Sequence, residues 1–354
     1  MKNNTMIAEF KAVIDRVTQL LENNKDEWEK RYDEYIELLN NTVVCDNIKN
    51  ASGKFRLPQN LQRYIPITML KKSSKGLDVF FDLRYLGKSV ANVNVYQNEG
   101  IKFGFKRKCR DFKFNANELF TPDQCIDDDQ HSNCWYNKNH KTVTKFKHLF
   151  KSGAKGIKNN EAKFESLLLK AMKSESGNGS NFKGINITPI KVADVGFFQM
   201  PTAVSASHVK DGVEAITYSS SSSSGGGIDI MARMNLGRNS KLTLFELKDH
   251  NKEQGETPDV VIKQALAYAT FIVKLIKFKG DSVWKAFGYN GGHSTIINVC
   301  CLLPNKLDNG KEAEIPDFAK KQIELDGYTL ELHYMYFDID KDGNVSIARS
   351  SLIK

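Results

Sequence analysis

The sequence predicts an α/β protein: a C-terminal domain with the order α-β-β-β-α-β, preceded by an N-terminal α+β domain built around an antiparallel meander. Three observations predict it. Apolar residues recur at helical spacing over residues 6–40. The chain then turns β-rich in three runs between residues 76 and 108. Beyond residue 153, helical and extended patterns alternate, which implies a sheet with helices packed against it.

Taken in order, Phe10, Val13, Ile14, Val17, Leu20 and Leu21 share one face of one or two amphipathic helices. After the turn-rich "NIKNASGKFRLPQN", the stretch "GLDVFFDLRYLGKSVANVNVYQNEGIKFGFKRK" holds three β-rich runs separated by "LGKS" and "QNEG". The last run ends on the basic cluster Lys106, Arg107, Lys108 and Arg110. Residues 121–160 are polar, and "HLFKSGAKGIKNN" reads as a linker, so the domains are expected at 1–152 and 153–354. "NNEAKFESLLLKAMKS" (159–174) is a helix. Strands follow at about 185–199, 227–234 and 241–249, then a helix at about 258–279 and strands at about 294–303, 328–338 and 344–350. The low-complexity piece "SSSSSSGGG" is a flexible lead-in to the strand that carries Asp229.

A length of 354 residues is enough for two domains, each burying its own core. With 40% hydrophobic and 26% charged residues the chain is neither disordered nor a membrane protein in composition. No apolar run reaches the roughly 18 residues of a membrane span, and the start has no apolar segment of about 7–15 residues of the signal-peptide type. A cytoplasmic protein with no membrane partner is expected. Six cysteines in a chain this long are no disulfide framework, and the pair Cys300–Cys301 lies in the apolar run "IINVCCLLP". Buried, reduced thiols are expected.

The net charge of +9 is uneven: residues 1–40 carry −3, residues 41–155 carry +11 and the remainder +1. A basic middle segment points to a polyanion, because Lys and Arg that neutralise phosphates release counterions. Charge alone leaves a solvated, lysine-rich surface as the alternative.

The chemistry concentrates in four pieces of the C-terminal domain. The strand "GGIDIMAR" holds Asp229 between two isoleucines. A hairpin turn, "NLGRNS", leads to "KLTLFELKDH", in which Glu246 and Lys248 interrupt an apolar strand. Asp229 precedes Glu246 by 17 residues, a spacing at which antiparallel neighbours can bring the two acids side by side. The helix "PDVVIKQALAYATFIVKL" carries Gln264 and Tyr268 at i,i+4, and the helix ahead of the strands carries Glu161 and Glu165 at the same spacing. An E-x-K on a strand by itself is common and usually a solvated edge. Burying both charges costs several kcal/mol per ion, about what a functional site would have to justify.

Here the sequence resembles the PD-(D/E)XK nuclease superfamily. Asp229…Glu246-Leu247-Lys248 is similar to its D…(D/E)-x-K signature, with Ile228 in place of the name-giving proline, and "QALAY" is similar to the Q-x-x-x-Y motif of RecB-like nucleases. "ExxFxxLL", from Glu161 to Leu168, resembles the first helix of archaeal Holliday-junction resolvases. The resemblance covers about residues 159–303. It implies a restriction-endonuclease-like α-β-β-β-α-β core, with a mixed sheet flanked by helices. It also implies hydrolysis of DNA phosphodiesters with Mg²⁺ or Mn²⁺, in restriction, phage defence or recombination repair. Asp229, Glu246 and the Leu247 carbonyl would hold the ion, with Glu161, or Glu165 in its place, completing the shell. Lys248 would orient or deprotonate the water, and Gln264 and Tyr268 would position the phosphate or the lysine. Lys106, Arg107, Lys108 and Arg110 would hold nucleic acid. Cutting both strands would favour a homodimer. The alternatives are a non-catalytic nucleic-acid-binding protein that keeps the fold, and an RNA-cleaving toxin.

Other patterns are set aside. "DIDKDGN" (338–344) starts like a calcium loop, but its twelfth position is Arg349 where a glutamate is needed, and an Asp-Gly hairpin turn fits better. Cys109, Cys125, His131, Cys134 and His140 lack the close Cys pair of most structural zinc sites. "DHNK" (249–252) has no second histidine for an HNH nuclease, and no G-x4-G-K-[ST] phosphate loop occurs.

Overall fold

The computed structural model describes residues 2–41, 67–72, 79–85, 88–96, 100–105, 108–109, 114–115, 160–173, 186–192, 196–220, 226–235, 240–252, 256–307, 309–341 and 344–353. Two units share the chain: 1–36 with 171–190 and 199–354, and 37–170 with 191–198. A single cut near residue 153 therefore does not separate them.

In the second unit, β1 (Ile67–Lys72), β2 (Val79–Tyr85), β3 (Lys88–Tyr96) and β4 (Gly100–Phe105) form an antiparallel meander, as the alternating runs predict. A two-residue pair, β5 (Lys108–Cys109) and β6 (Phe114–Asn115), follows. Lys108 lies in β5, whereas Lys106, Arg107 and Arg110 fall outside the described residues, as do Cys125, His131, Cys134 and His140.

The first unit begins with α1 (Lys2–Asn23) and α2 (Lys25–Asn40), which belongs to this unit as far as Ile36. Helix α3 (Asn160–Lys173) crosses from one unit to the other at Ala171. The expected strand at 185–199 is divided. Strand β7 (Ile187–Pro189) joins the first unit, while β8 (Lys191–Val192) and β9 (Gly196–Phe198) extend the meander sheet beside β1. Strands β10 (Val204–Ser205) and β11 (Thr217–Tyr218) pair with one another. Next come β12 (Ile230–Met234), β13 (Lys241–Leu247), α4 (Pro258–Lys279), α5 (Asp281–Ala286) and β14 (Ile296–Pro304), followed by β15 (Gln322–Leu325), β16 (Tyr328–Ile339) and β17 (Val345–Ser350).

The main sheet is mixed, in the order β15-β16-β14-β13-β12-β7, with β17 also on β16. Strands β13, β14 and β16 are parallel, and β12, β7, β15 and β17 run antiparallel to their neighbours. Strand β14 occupies one edge of β16, so β15 and β17 share the other, end to end. Asp340 closes the β16–β17 hairpin by accepting from the Asn344 N–H at 2.8 Å, in keeping with a hairpin turn and not a calcium loop.

Strand β13 is buried from Leu242 to Leu247 on both faces, as a strand inside a partly parallel sheet must be. A parallel β13–β14 pair needs a crossover, and α4 supplies it. Pro258 starts this helix, and Gly280, at φ +54°, ends it in the left-handed region with its N–H on the Ile276 carbonyl.

Nearly every side chain from Val261 to Ile276 is buried, because α4 is a middle layer. It lies on β13, β14 and β16, and its outer side is covered by α1. Phe10, Val13, Ile14, Val17 and Leu21 are the buried stripe of α1. Trp28 and Tyr32 of α2 meet the Phe271 ring at 6.1 and 4.7 Å. An amphipathic stripe announces that a helix will be covered but not by what, so α1 and α2 read as part of the N-terminal domain although they pack on α4. Cys300 and Cys301 are buried, reduced thiols in β14.

Candidate active site

The register of β12 on β13 sets Ile230 opposite Phe245, so Asp229 and Glu246 stand at the next rung. Strand β12 starts at Ile230, and beyond it the Asp229 side chain replaces the missing strand: its Oδ2 accepts from the Leu247 N–H at 2.8 Å. The N–H and C=O of a strand residue face the same edge. The Leu247 carbonyl therefore also opens toward Asp229, while the Lys248 N–H turns the other way, to the Leu302 carbonyl of β14.

Glu246 and Lys248 share a face of β13 and are 2% and 7% exposed. Lys248 Nζ donates to Glu246 Oε1 at 2.8 Å. Two acids and one ammonium thus sit together, Glu246 and Lys248 buried and Asp229 half-buried. Burial, and then the Glu246 charge, push the Asp229 carboxyl up from 3.8 to about 8, with Lys248 and the Leu247 N–H pulling the other way.

Gln264 and Tyr268 are buried on α4, and Tyr268 lies close enough to Glu246 and Asp229 to feel their charges. Gln264 Nε2 donates to the Tyr268 hydroxyl at 3.3 Å, and the Ala206 N–H donates to it at 3.4 Å. A phenol that accepts twice keeps its own hydrogen for another acceptor. Burial, then the charges of Glu246 and Asp229, hold the Tyr268 phenol well above its ordinary value. Gly226 lies against this ring so closely that a Cβ there would be 2.6 Å from Tyr268 Cε1.

Asp229, Glu246, Leu247, Lys248, Gln264 and Tyr268 are therefore brought together. Glu161 and Glu165 lie on the part of α3 that belongs to the second unit, Glu165 buried and Glu161 partly so. Sequence reasoning missed the supporting segment 200–206 with 226–228, for which no motif exists. It also missed a brace on the β13–α4 loop, where His250 Nδ1 is 2.6 Å from Asp249 Oδ1 and Nε2 is 2.9 Å from Glu256 Oε2.

Among the described residues no three His, Cys, Asp or Glu side chains converge to hold a metal. An ion here would take Asp229, Glu246 and the Leu247 carbonyl, with water for the rest. That hard-oxygen, partly hydrated set suits Mg²⁺ or Mn²⁺, whose binding would displace the Asp229 proton.

Comparison with protein-family models, curated proteins and solved structures gives no match. Among the described residues no helix is long and apolar enough to cross a membrane.

Proposed function

We propose that the protein is a divalent-metal-dependent nuclease of the PD-(D/E)XK type that hydrolyses DNA phosphodiesters. The observation that carries this reading is the cluster at the end of β13 of half-buried Asp229 with buried Glu246 and Lys248. A second acid beside the Glu246–Lys248 ion pair costs stability, since it must either ionise next to a carboxylate or hold a proton it would lose in water. The order β7-β12-β13-α4-β14, with the first three antiparallel and the last parallel to β13, agrees with the restriction-endonuclease-like core expected of that superfamily.

Mg²⁺ or Mn²⁺, when bound, supplies neutralisation of the phosphoryl oxygens and a water of lowered pKa. Asp229 and Glu246 hold the ion, with the Leu247 carbonyl as a third donor. Lys248 carries three donors, so it can hold Glu246 and orient the attacking water together. Gln264 fixes the Tyr268 hydroxyl, and Tyr268 turns its hydrogen toward the acid pair. Lys106, Arg107, Lys108 and Arg110 would supply phosphate contacts, and a twofold dimer would serve cleavage of both strands.

The test is cleavage of plasmid and single-stranded DNA with Mg²⁺ or Mn²⁺. Wild type cleaves, and Glu246→Ala and Lys248→Ala do not, while circular dichroism shows that both fold. Equal activity in all three overturns the reading, and cleavage of RNA alone changes the substrate. One observation favours a non-catalytic binding protein instead: Asp229 bonds to Leu247 N–H and Glu246 to Lys248, a cluster that pairs its own groups. That protein binds DNA and leaves it whole with either metal.

A further inference from the structure

We infer that Tyr32, on helix α2, is a positioning residue for Asp229 and acts through the backbone ribbon that delivers this acid to the site. The inference rests on the nuclease reading and extends it to the first 36 residues of the chain.

Asp229 stands just ahead of β12, so its place depends on residues 226–228. These are held by residues 200–204. The Ile228 N–H donates to the Met200 carbonyl at 3.0 Å, the Thr202 N–H to Gly226 at 2.9 Å and the Gly226 N–H to Val204 at 3.2 Å. Pro201 and Gly227 face each other across this ribbon, two residues before Asp229.

The ribbon belongs to no large sheet and must be fixed from outside. Tyr268 fixes one end, through the Ala206 N–H and the close approach of Gly226. Tyr32 fixes the other: its buried hydroxyl donates to the Pro201 carbonyl at 2.9 Å. Proline has no N–H, so its carbonyl is its one backbone polar group. Beside Tyr32, Arg31 Nη1 donates to the Ser219 carbonyl at 2.7 Å, and the Ser219 N–H donates to Ala203 at 2.8 Å. Helix α2 thus holds the middle strand of this three-stranded ribbon at Pro201 and one outer strand at Ser219.

Tyr32 is itself rigid. It is 2% exposed, its ring meets Phe271 at 4.7 Å, and the Arg31 guanidinium lies over it at 4.9 Å. Removing its hydroxyl leaves the buried Pro201 carbonyl unsatisfied and frees the strand opposite Gly227 to shift. An error there passes along two residues to the Asp229 carboxylate.

The test compares Tyr32→Phe with Phe278→Leu in the full chain. Phe278→Leu loosens the same α2–α4 packing at Trp28, 5.7 Å between rings, without touching the ribbon. Mn²⁺ affinity is read by electron paramagnetic resonance of the free ion, and hydrogen exchange is read at the Ile228 and Leu247 amides. Tyr32→Phe is expected to weaken Mn²⁺ binding about tenfold, the lower end of the loss seen when a ligand's support is removed, and to speed both amides. Phe278→Leu is expected to lower the melting temperature and leave both readouts within twofold of wild type. Tyr32→Phe that changes neither readout, or Phe278→Leu that changes them as much, overturns the inference. A wild type without Mn²⁺ affinity overturns the nuclease reading, and the amide exchange still decides whether Tyr32 holds Asp229.

Discussion

Asp229 accepts a hydrogen bond of 2.8 Å from the backbone N–H of Leu247, the residue between Glu246 and Lys248. The acid is therefore held by the same strand that carries the other two charged groups. The three cannot drift apart without breaking the end of the β12–β13 pair.

One consequence is a pH dependence with a definite sign. The folded Asp229 carboxyl is pushed up to about 8, well above the unfolded value. Between about pH 4 and pH 8 the folded chain holds a proton that the unfolded chain has lost, so stability falls as pH rises through that window. Asp229→Asn keeps the hydrogen-bond acceptor without the charge. In chelator, urea unfolding from pH 5 to 9 should show the variant gaining on wild type as pH rises. Parallel profiles would mean that the carboxyl is ordinary.

The buried ion pair should behave asymmetrically. Lys248→Met leaves the Glu246 carboxylate without its ammonium and should cost about 3–5 kcal/mol in chelator. The double substitution Glu246→Gln with Lys248→Met removes both charges and should recover most of that loss. It should nonetheless be inactive. A double-mutant cycle by chemical unfolding, with a cleavage assay alongside, checks both halves.

Gly226→Ala puts a Cβ 2.6 Å from the Tyr268 ring, which is only 2% exposed and has little room to retreat. A loss of about 1–3 kcal/mol is expected, the usual cost of overpacking a core. Tyr268→Leu in the same chain should cancel much of it, whereas Tyr268→Phe, which keeps Cε1, should not. Thermal unfolding of Gly226→Ala and the two double variants decides.

At acid pH a different group matters. Ser351 Oγ accepts from the Tyr334 N–H at 3.1 Å and is hydrogen-bonded to His333 Nδ1 at 3.0 Å. Burial pushes the His333 imidazole from 6.5 down to about 4, against the partly opposing pull of Glu331. The unfolded chain takes up this proton first, so the contribution of His333 to stability falls as pH drops from about 6.5 to 4. Asp229 works in the opposite direction over the same range, so relative to wild type His333→Gln should gain stability as pH drops from about 6.5 to 4 and Asp229→Asn should lose it. An unchanged slope would place the loss elsewhere.

The core of the site was legible because local signals agreed. Alternation marked β13, Glu246 and Lys248 broke its apolar face, and a short hairpin tied Asp229 to that strand. Helix α4 was legible from its long apolar pattern and Pro258. The partners of α1 and α2 were not, since Phe10 and Trp28 show that a face is buried but not which distant surface buries it. The division of residues 187–198 between two sheets left no mark either, because "ITPIKVADVGFF" reads as one extended run. Strand β15 is only four residues long and has no period to detect.

Helix α4 lies between the sheet and α1, and Lys263 reaches Glu9 across 254 residues of chain. Made on a ribosome at about 5–20 residues per second, α1 would wait roughly 13–50 s for the helix that covers it. Tyr32 would wait almost as long for Phe271. A nascent chain is thus an incomplete one: the support for Asp229 forms only after α4 emerges. If the protein is the nuclease proposed, such an order of assembly would leave its metal centre unsupported until most of the chain has been made.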